Sequence, residues 1–98
     1  MNKIEHLGIA VKDIEKSNEL FAQLLNTDPY KQEEVASENV ITSFFKVGES
    51  KIELLQATSE ESAIHKFIEK KGEGIHHIAY DVTDIFAEIE RLKSAGFQ

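Results

Sequence analysis

The sequence predicts an α+β domain: a βαβββ unit, a connecting helix, and then the strand and helix that begin a second unit. Three observations carry this. The segments IEHLGIAVKDI (from Ile4 to Ile14) and IHHIAYDVTDI (from Ile75 to Ile85) align without gaps at an offset of 71 residues. Each reads as an alternating strand followed by a helix opened by an aspartate. Between them lie the β-rich run VITSFFKV, a Gly48-Glu49-Ser50 turn, and KIELLQ. Recurrence of a whole strand–helix unit is a strong organisational signal.

The elements follow in order. Residues 3–11 form the first strand, with His6, Gly8 and Ala10 on one face and Leu7, Ile9 and Val11 on the other. Asp13 caps a helix whose stripe is Ile14, Phe21, Leu24 and Leu25, with Leu20 alongside. That helix runs through Asn26, and Thr27-Asp28-Pro29 ends it, because proline drives its predecessor from helical angles. Tyr30 to Val35 reads as a short, charged strand. Val40 to Val47 and Lys51 to Gln56 pair as a hairpin. Ser62 to Lys71 has helical spacing at Ile64, Phe67 and Ile68, and Gly72 and Gly74 break it. Ile75 to Val82 is the next strand. Asp84 opens a helix with Ile85, Ile89 and Leu92 on one stripe, ending at Gly96. Residues 1–71 thus make the first unit with its connecting helix, and 72–98 begin the second, all within one domain.

Composition excludes several function classes. The chain has no cysteine, so a metal site must draw on His, Asp, Glu or Gln. A net charge of −7 argues against a nucleic-acid-binding face. No run of about 18 apolar residues is present, so no membrane span is expected. The N-terminus, with His6 and Glu5 inside its apolar stretch, makes a poor signal peptide, and a cytoplasmic protein is expected.

The repeat also selects the chemistry. His77 is the counterpart of His6, and small residues beside both leave room for a cleft. Glu53 shares a strand face with Lys51 and Leu55, flanked by Ile52 and Leu54, where a carboxylate is costly to bury unless paired or metal-bound. Two histidines and a glutamate suit a divalent cation such as Zn, Co, Mn, Ni or Fe. His76, one residue before His77, is expected on the opposite face, and His65 on an exposed helix surface.

The segments IEHLGIAVKDIEKS, KIELLQ and GEGIHHIAYDVTDI resemble the methylmalonyl-CoA epimerase family of the vicinal oxygen chelate superfamily, which also contains glyoxalase I. The resemblance spans essentially the whole chain. It implies two βαβββ modules curled around a metal cleft, with His6, Glu53 and His77 at three ligand positions for Co, Zn, Mn or Ni. The implied reaction abstracts and returns the proton alpha to the thioester of an acyl-CoA substrate. The family's fourth ligand, a glutamate on the last strand of the second module, has no counterpart among these 98 residues. The resemblance therefore describes a C-terminally truncated member, with activity expected to be impaired. A second family glutamate position holds Thr42, which is no base at neutral pH; Glu38 and Glu34 are the nearby carboxylates. The alternatives within the resemblance are a lactoylglutathione lyase, a dioxygenase, or a non-catalytic ligand-binding domain. An incomplete sheet exposes unpaired edges, so a homodimer is expected.

Overall fold

The computed structural model describes residues 1–97; Gln98, the last residue of the expected second unit, lies outside them. The element order is β1 (Lys3–Ala10), α1 (Ile14–Leu25), β2 (Lys31–Val35), a 3-10 turn (Ala36–Glu38), β3 (Val40–Val47), β4 (Ser50–Ala57), α2 (Ala63–Lys71), β5 (Gly74–Asp81) and α3 (Ile85–Ser94). The five strands form one sheet in the order β2-β3-β4-β1-β5. β1 runs parallel to β4, and the other neighbours are antiparallel.

Strand alternation gives the sheet two unlike faces. On one, Val11, Ile14, Phe45 and Leu54 form a core cluster, with Phe21 and Leu25 packed against it. The apolar stripe of α1 supplies these contacts, and α1 lies over β3 and β4. On the other, Ala10, Val40, Leu55 and Ile64 form a second cluster beneath α2. α2 reaches β4, β1 and β5 and closes one end of that face. The rest of the face stays open, and the cleft described below occupies it.

The repeat is structural as well as sequential. Asp13 sits at φ −136°, ψ 103° and accepts from the backbone N–H groups of Glu15 and Lys16. Asp84 sits at φ −138°, ψ 104° and accepts from those of Phe86 and Ala87. The register between β1 and β5 has the same symmetry. The pairs Lys3–Asp81, Ile4–Tyr80 and His6–Ala79 map under the 71-residue offset onto Ala10–Gly74, Ile9–Ile75 and Gly8–His77. Leu7–Ile78 maps onto itself. The two segments are therefore related by a local two-fold axis through that pair.

The helices differ in what they cover. The α3 stripe does not pack beneath a sheet as α1 does: Ile85 is 55% exposed and Phe86 78%, and none of the described α3 residues is buried. The reason lies in the layout. α1 lies over strands beyond β1 rather than over β1 itself, and among the described residues β5 has no neighbour on its far side.

Two equivalent caps therefore differ in consequence. Asp13→Ala should lower unfolding stability by about 1 kcal/mol, because the helix it starts is part of the core. Asp84→Ala should leave the global denaturant midpoint nearly unchanged and only speed amide exchange in α3. Equal midpoint shifts for the two variants would contradict this difference in packing.

Candidate metal centre

Three neighbouring strands aim polar side chains into the open part of the sheet face. Gly8 on β1 is the register partner of Glu53 on β4 and of His77 on β5, and His6 lies two residues before it. The absence of a side chain at Gly8 is used directly. A Cβ there would fall 2.6 Å from both Nδ1 and Nε2 of His77, inside van der Waals contact, so the imidazole occupies that volume.

The side chains make a continuous chain of contacts. Lys51 Nζ lies 3.0 Å from Glu5 Oε2, and Glu5 Oε1 lies 2.8 Å from His6 Nδ1. His6 Nε2 is 3.0 Å from His77 Nε2, and His77 Nδ1 is 2.9 Å from His76 Nδ1. The His6 and His77 rings meet edge to face, and the His76 ring stands edge to face with Phe67 of α2. Glu53 Oε2 approaches His6 from the Nδ1 edge, at 3.4 Å. The three residues expected from sequence, His6, Glu53 and His77, thus share one site. His77 and Glu53 meet opposite edges of the His6 ring.

Two features of the site depart from strict alternation. His76 is not on the face opposite His77. It lines the same cleft, and its ring nitrogen contacts that of His77. Glu5, which the alternation places with Leu7 and Ile9, instead contacts His6. A bulge accounts for each. The register shifts between Ile4 and His6, leaving Glu5 as an extra residue in β1, and again between Gly8 and Ile9, leaving His76 extra in β5. Glu5 and His76 are repeat counterparts, so both bulges obey the local two-fold. Among the described residues, the side chains whose ligand atoms all lie within 4.8 Å of one another are Glu5, His6 and Glu53; His77 adjoins this group through His6 Nε2.

The electrostatics favour a cation. Burial pushes the Glu53 carboxyl above its usual range, outweighing the downward pull of His6. Hydrogen bonds from His6 and Lys51 hold Glu5 below that range. Burial, reinforced by His6 and then His76, lowers the His77 imidazole below its usual range. The donor set and the under-compensated Glu53 fit a divalent metal.

The cleft continues past these groups to a volume of about 610 Å³. Its far wall is β2 and β3, where Thr42 is buried beside its cross-strand partner Glu33. Glu33 and Glu38 both line it. Glu34 pairs with Ile41, which packs into the α1-side core, and so belongs to the other face. His65 stands apart on α2, 3.3 Å from Glu69.

The chain is similar to several known proteins. The ethylmalonyl-CoA/methylmalonyl-CoA epimerase of Cereibacter sphaeroides is 36% identical over 97 residues, 98% of this chain and 72% of that one. The crystal structure of hypothetical protein BH1468 from Bacillus halodurans superimposes with a TM-score of 0.87 at 45% identity, covering 97% of this chain and 69% of that one. A Streptomyces coelicolor methylmalonyl-CoA epimerase in complex with 2-nitronate-propionyl-CoA gives a TM-score of 0.84 at 29% identity, covering 100% and 72%. A superfamily model matches residues 5–98, and the chain belongs to the Glyoxalase/Bleomycin resistance protein/Dioxygenase superfamily.

Proposed function

We propose that this chain carries the acid–base and metal-holding cleft of an epimerase acting on methylmalonyl-CoA or a closely related acyl-CoA. The observation that carries the proposal is the convergence of His6, His77 and Glu53 at one end of a cleft whose far wall carries the carboxylates of Glu38 and of Glu33, the latter 3.2 Å from Lys31 Nζ. The epimerase relatives supply the substrate class.

The substrate's α-proton lies between a thioester carbonyl and a carboxylate and is only weakly acidic. His6, Glu53 and His77 would hold a divalent ion; when bound, it supplies Lewis-acid stabilisation of the enolate as charge develops. Glu33 is assigned as the group that takes the proton. It faces the cleft beside Thr42, and its charge is felt at Glu53 across the cavity. Thr42 offers a hydroxyl for orienting the acyl carboxylate but no base. Gly8 keeps His77 seated against β1, which fixes the spacing of the two imidazoles. The homodimer and the cytoplasmic setting belong to the same proposal. Among the described residues β5 is an edge strand, and the exposed side chains of Ile78 and Tyr80 on it favour self-association. A monomer at every concentration in sedimentation equilibrium would remove the dimer.

The direct test is solvent exchange. Cobalt-supplemented protein incubated with methylmalonyl-CoA in D2O should wash deuterium into the α-position, read by mass spectrometry. Exchange needs only removal and return of a proton, so it reports this cleft even where inversion is slow. No exchange with Co, Zn, Mn or Ni would end the epimerase proposal. Glu33→Gln should slow exchange by roughly 10²–10⁴-fold while leaving metal affinity intact. Glu38→Gln should do neither.

Gly8→Ala should fold but displace the His77 ring. A displacement of about 1 Å at a catalytic group costs on the order of 10²-fold in rate, and metal affinity should fall with it. Unchanged cobalt affinity in Gly8→Ala would show that the ring position does not matter.

A further inference from the structure

We infer that Glu5 and His76, the two bulge residues, are positioning residues that fix the tautomers of His6 and His77 so that both Nε2 lone pairs can face one cation. This rests on the metal-holding role proposed above and extends it to residues that hold no metal themselves.

Geometry makes the two residues equivalent. Each precedes one of the imidazoles by a single position, where a regular strand would send it to the other face. Each is the extra residue of a bulge, at matching places in the repeat. Each then contacts Nδ1 of the following histidine, Glu5 at 2.8 Å and His76 at 2.9 Å. In both halves the bulge brings the preceding side chain to Nδ1 and leaves Nε2 pointing at the shared point, with the two Nε2 atoms 3.0 Å apart. Histidines that bind metals through one nitrogen usually donate the other N–H to such a partner, and removing it typically costs 10–100-fold in affinity.

Hydrogen-bond accounting fixes the direction. The Glu5 carboxylate only accepts, so His6 carries its proton on Nδ1 and offers a lone pair at Nε2. Without a cation, two Nε2 lone pairs cannot face each other, so His77 donates from Nε2. Its Nδ1 then accepts from the Nδ1–H of His76. With a cation, His77 must free Nε2. Its proton moves to Nδ1, His76 becomes the acceptor there, and the His76 proton moves to Nε2 on its solvent side. The number of protons is the same in both arrangements. His76 is suited to the exchange because an imidazole serves as either donor or acceptor at Nδ1, while Glu5 anchors the end that does not change.

The test uses 15N-histidine-labelled protein and two-bond 1H–15N correlation spectra, which separate the two neutral tautomers. In metal-free protein at pH above 7.5, His6 should be Nδ1–H, His77 Nε2–H and His76 Nδ1–H. On adding Zn2+, His6 should keep its tautomer while His77 and His76 exchange theirs. In Glu5→Ala, His6 should become a tautomer mixture and Co2+ affinity should fall roughly 10–100-fold, with the visible Co2+ spectrum unchanged. Glu5→Gln, which keeps an accepting oxygen, should restore the His6 tautomer and most of the affinity. His76→Phe, which retains an aromatic ring against Phe67, should weaken Co2+ binding while leaving His6 unaltered.

Unchanged tautomers in both Glu5→Ala and His76→Phe would overturn the inference. So would a Co2+ spectrum altered by Glu5→Ala, which would make Glu5 a direct ligand. If wild-type protein binds none of these metals, the metal-holding role falls on its own evidence. The metal-free spectra then still decide whether Glu5 and His76 set the tautomers.

Discussion

The cleft depends on one antiparallel pairing, that of β1 with β5, and on the two extra residues it accommodates. Without bulges, a pairing centred on Leu7 and Ile78 would still place His6 and His77 on a common face. Glu5 and His76 would then point into the opposite layer, among groups such as Leu7, Ile9 and Ile78. A carboxylate there would be costly to bury, and the two imidazoles would lose the partners that settle their protons. The bulges spend one residue of regular pairing in each strand and return a polar chain that runs from Lys51 to His76. They come as a pair because the strands are related by a local two-fold, so a local adjustment that suits one copy of the repeat suits the other.

The pairing also explains why the residue next to its centre, Gly8, has no side chain. Gly8 faces Glu53 on one side and His77 on the other, and the His77 ring lies in the space a Cβ would need. Its repeat counterpart is Ala79, the register partner of His6. The two-fold is thus kept in backbone and register but relaxed in side-chain volume. The two imidazole planes are perpendicular, so the two-fold does not extend to the rings. A strictly symmetric pair would have to meet the Glu53 carboxylate and the β2 wall in the same way on both sides. Only one side has these.

Much of this was legible in the sequence. The repeat set which histidines correspond, alternation grouped His6, His77 and Glu53 each with its own strand neighbours, the resemblance joined the three, and Asp13 and Asp84 marked both helix starts. Alternation failed at Glu5 and His76, because a bulge moves every later residue by one position relative to the partner strand. The signal was present in an indirect form. Glu5 interrupts the apolar series of Leu7, Ile9 and Val11, and His76 interrupts that of Ile78, Tyr80 and Val82, at the same place in each copy. A polar residue at the same buried-face position in both copies of a repeat is better explained by a shared departure from alternation than by two separate burials. Glu33 was out of reach for a different reason. Its facing follows from the register of β2 on β3, and the charged segment KQEEV carries no apolar alternation from which a register can be read.

Charge balance ties the fold to the chemistry. Around the imidazoles lie two carboxylates, Glu5 and Glu53, and one ammonium, Lys51. Lys51 hydrogen-bonds Glu5 and acts on Glu53 only at a distance, so the pull of His6 and Lys51 on Glu53 does not offset the burial that disfavours its ionised form. Replacing either carboxylate with an apolar side chain would pack the sheet more cheaply, so their retention is hard to explain by stability. A divalent cation held by these side chains, as proposed above, would reverse this balance by favouring the ionised form of Glu53. The same arrangement of strands therefore gives a face whose carboxylate is under-compensated by its protein neighbours, a pattern less suited to a core than to the binding site proposed above.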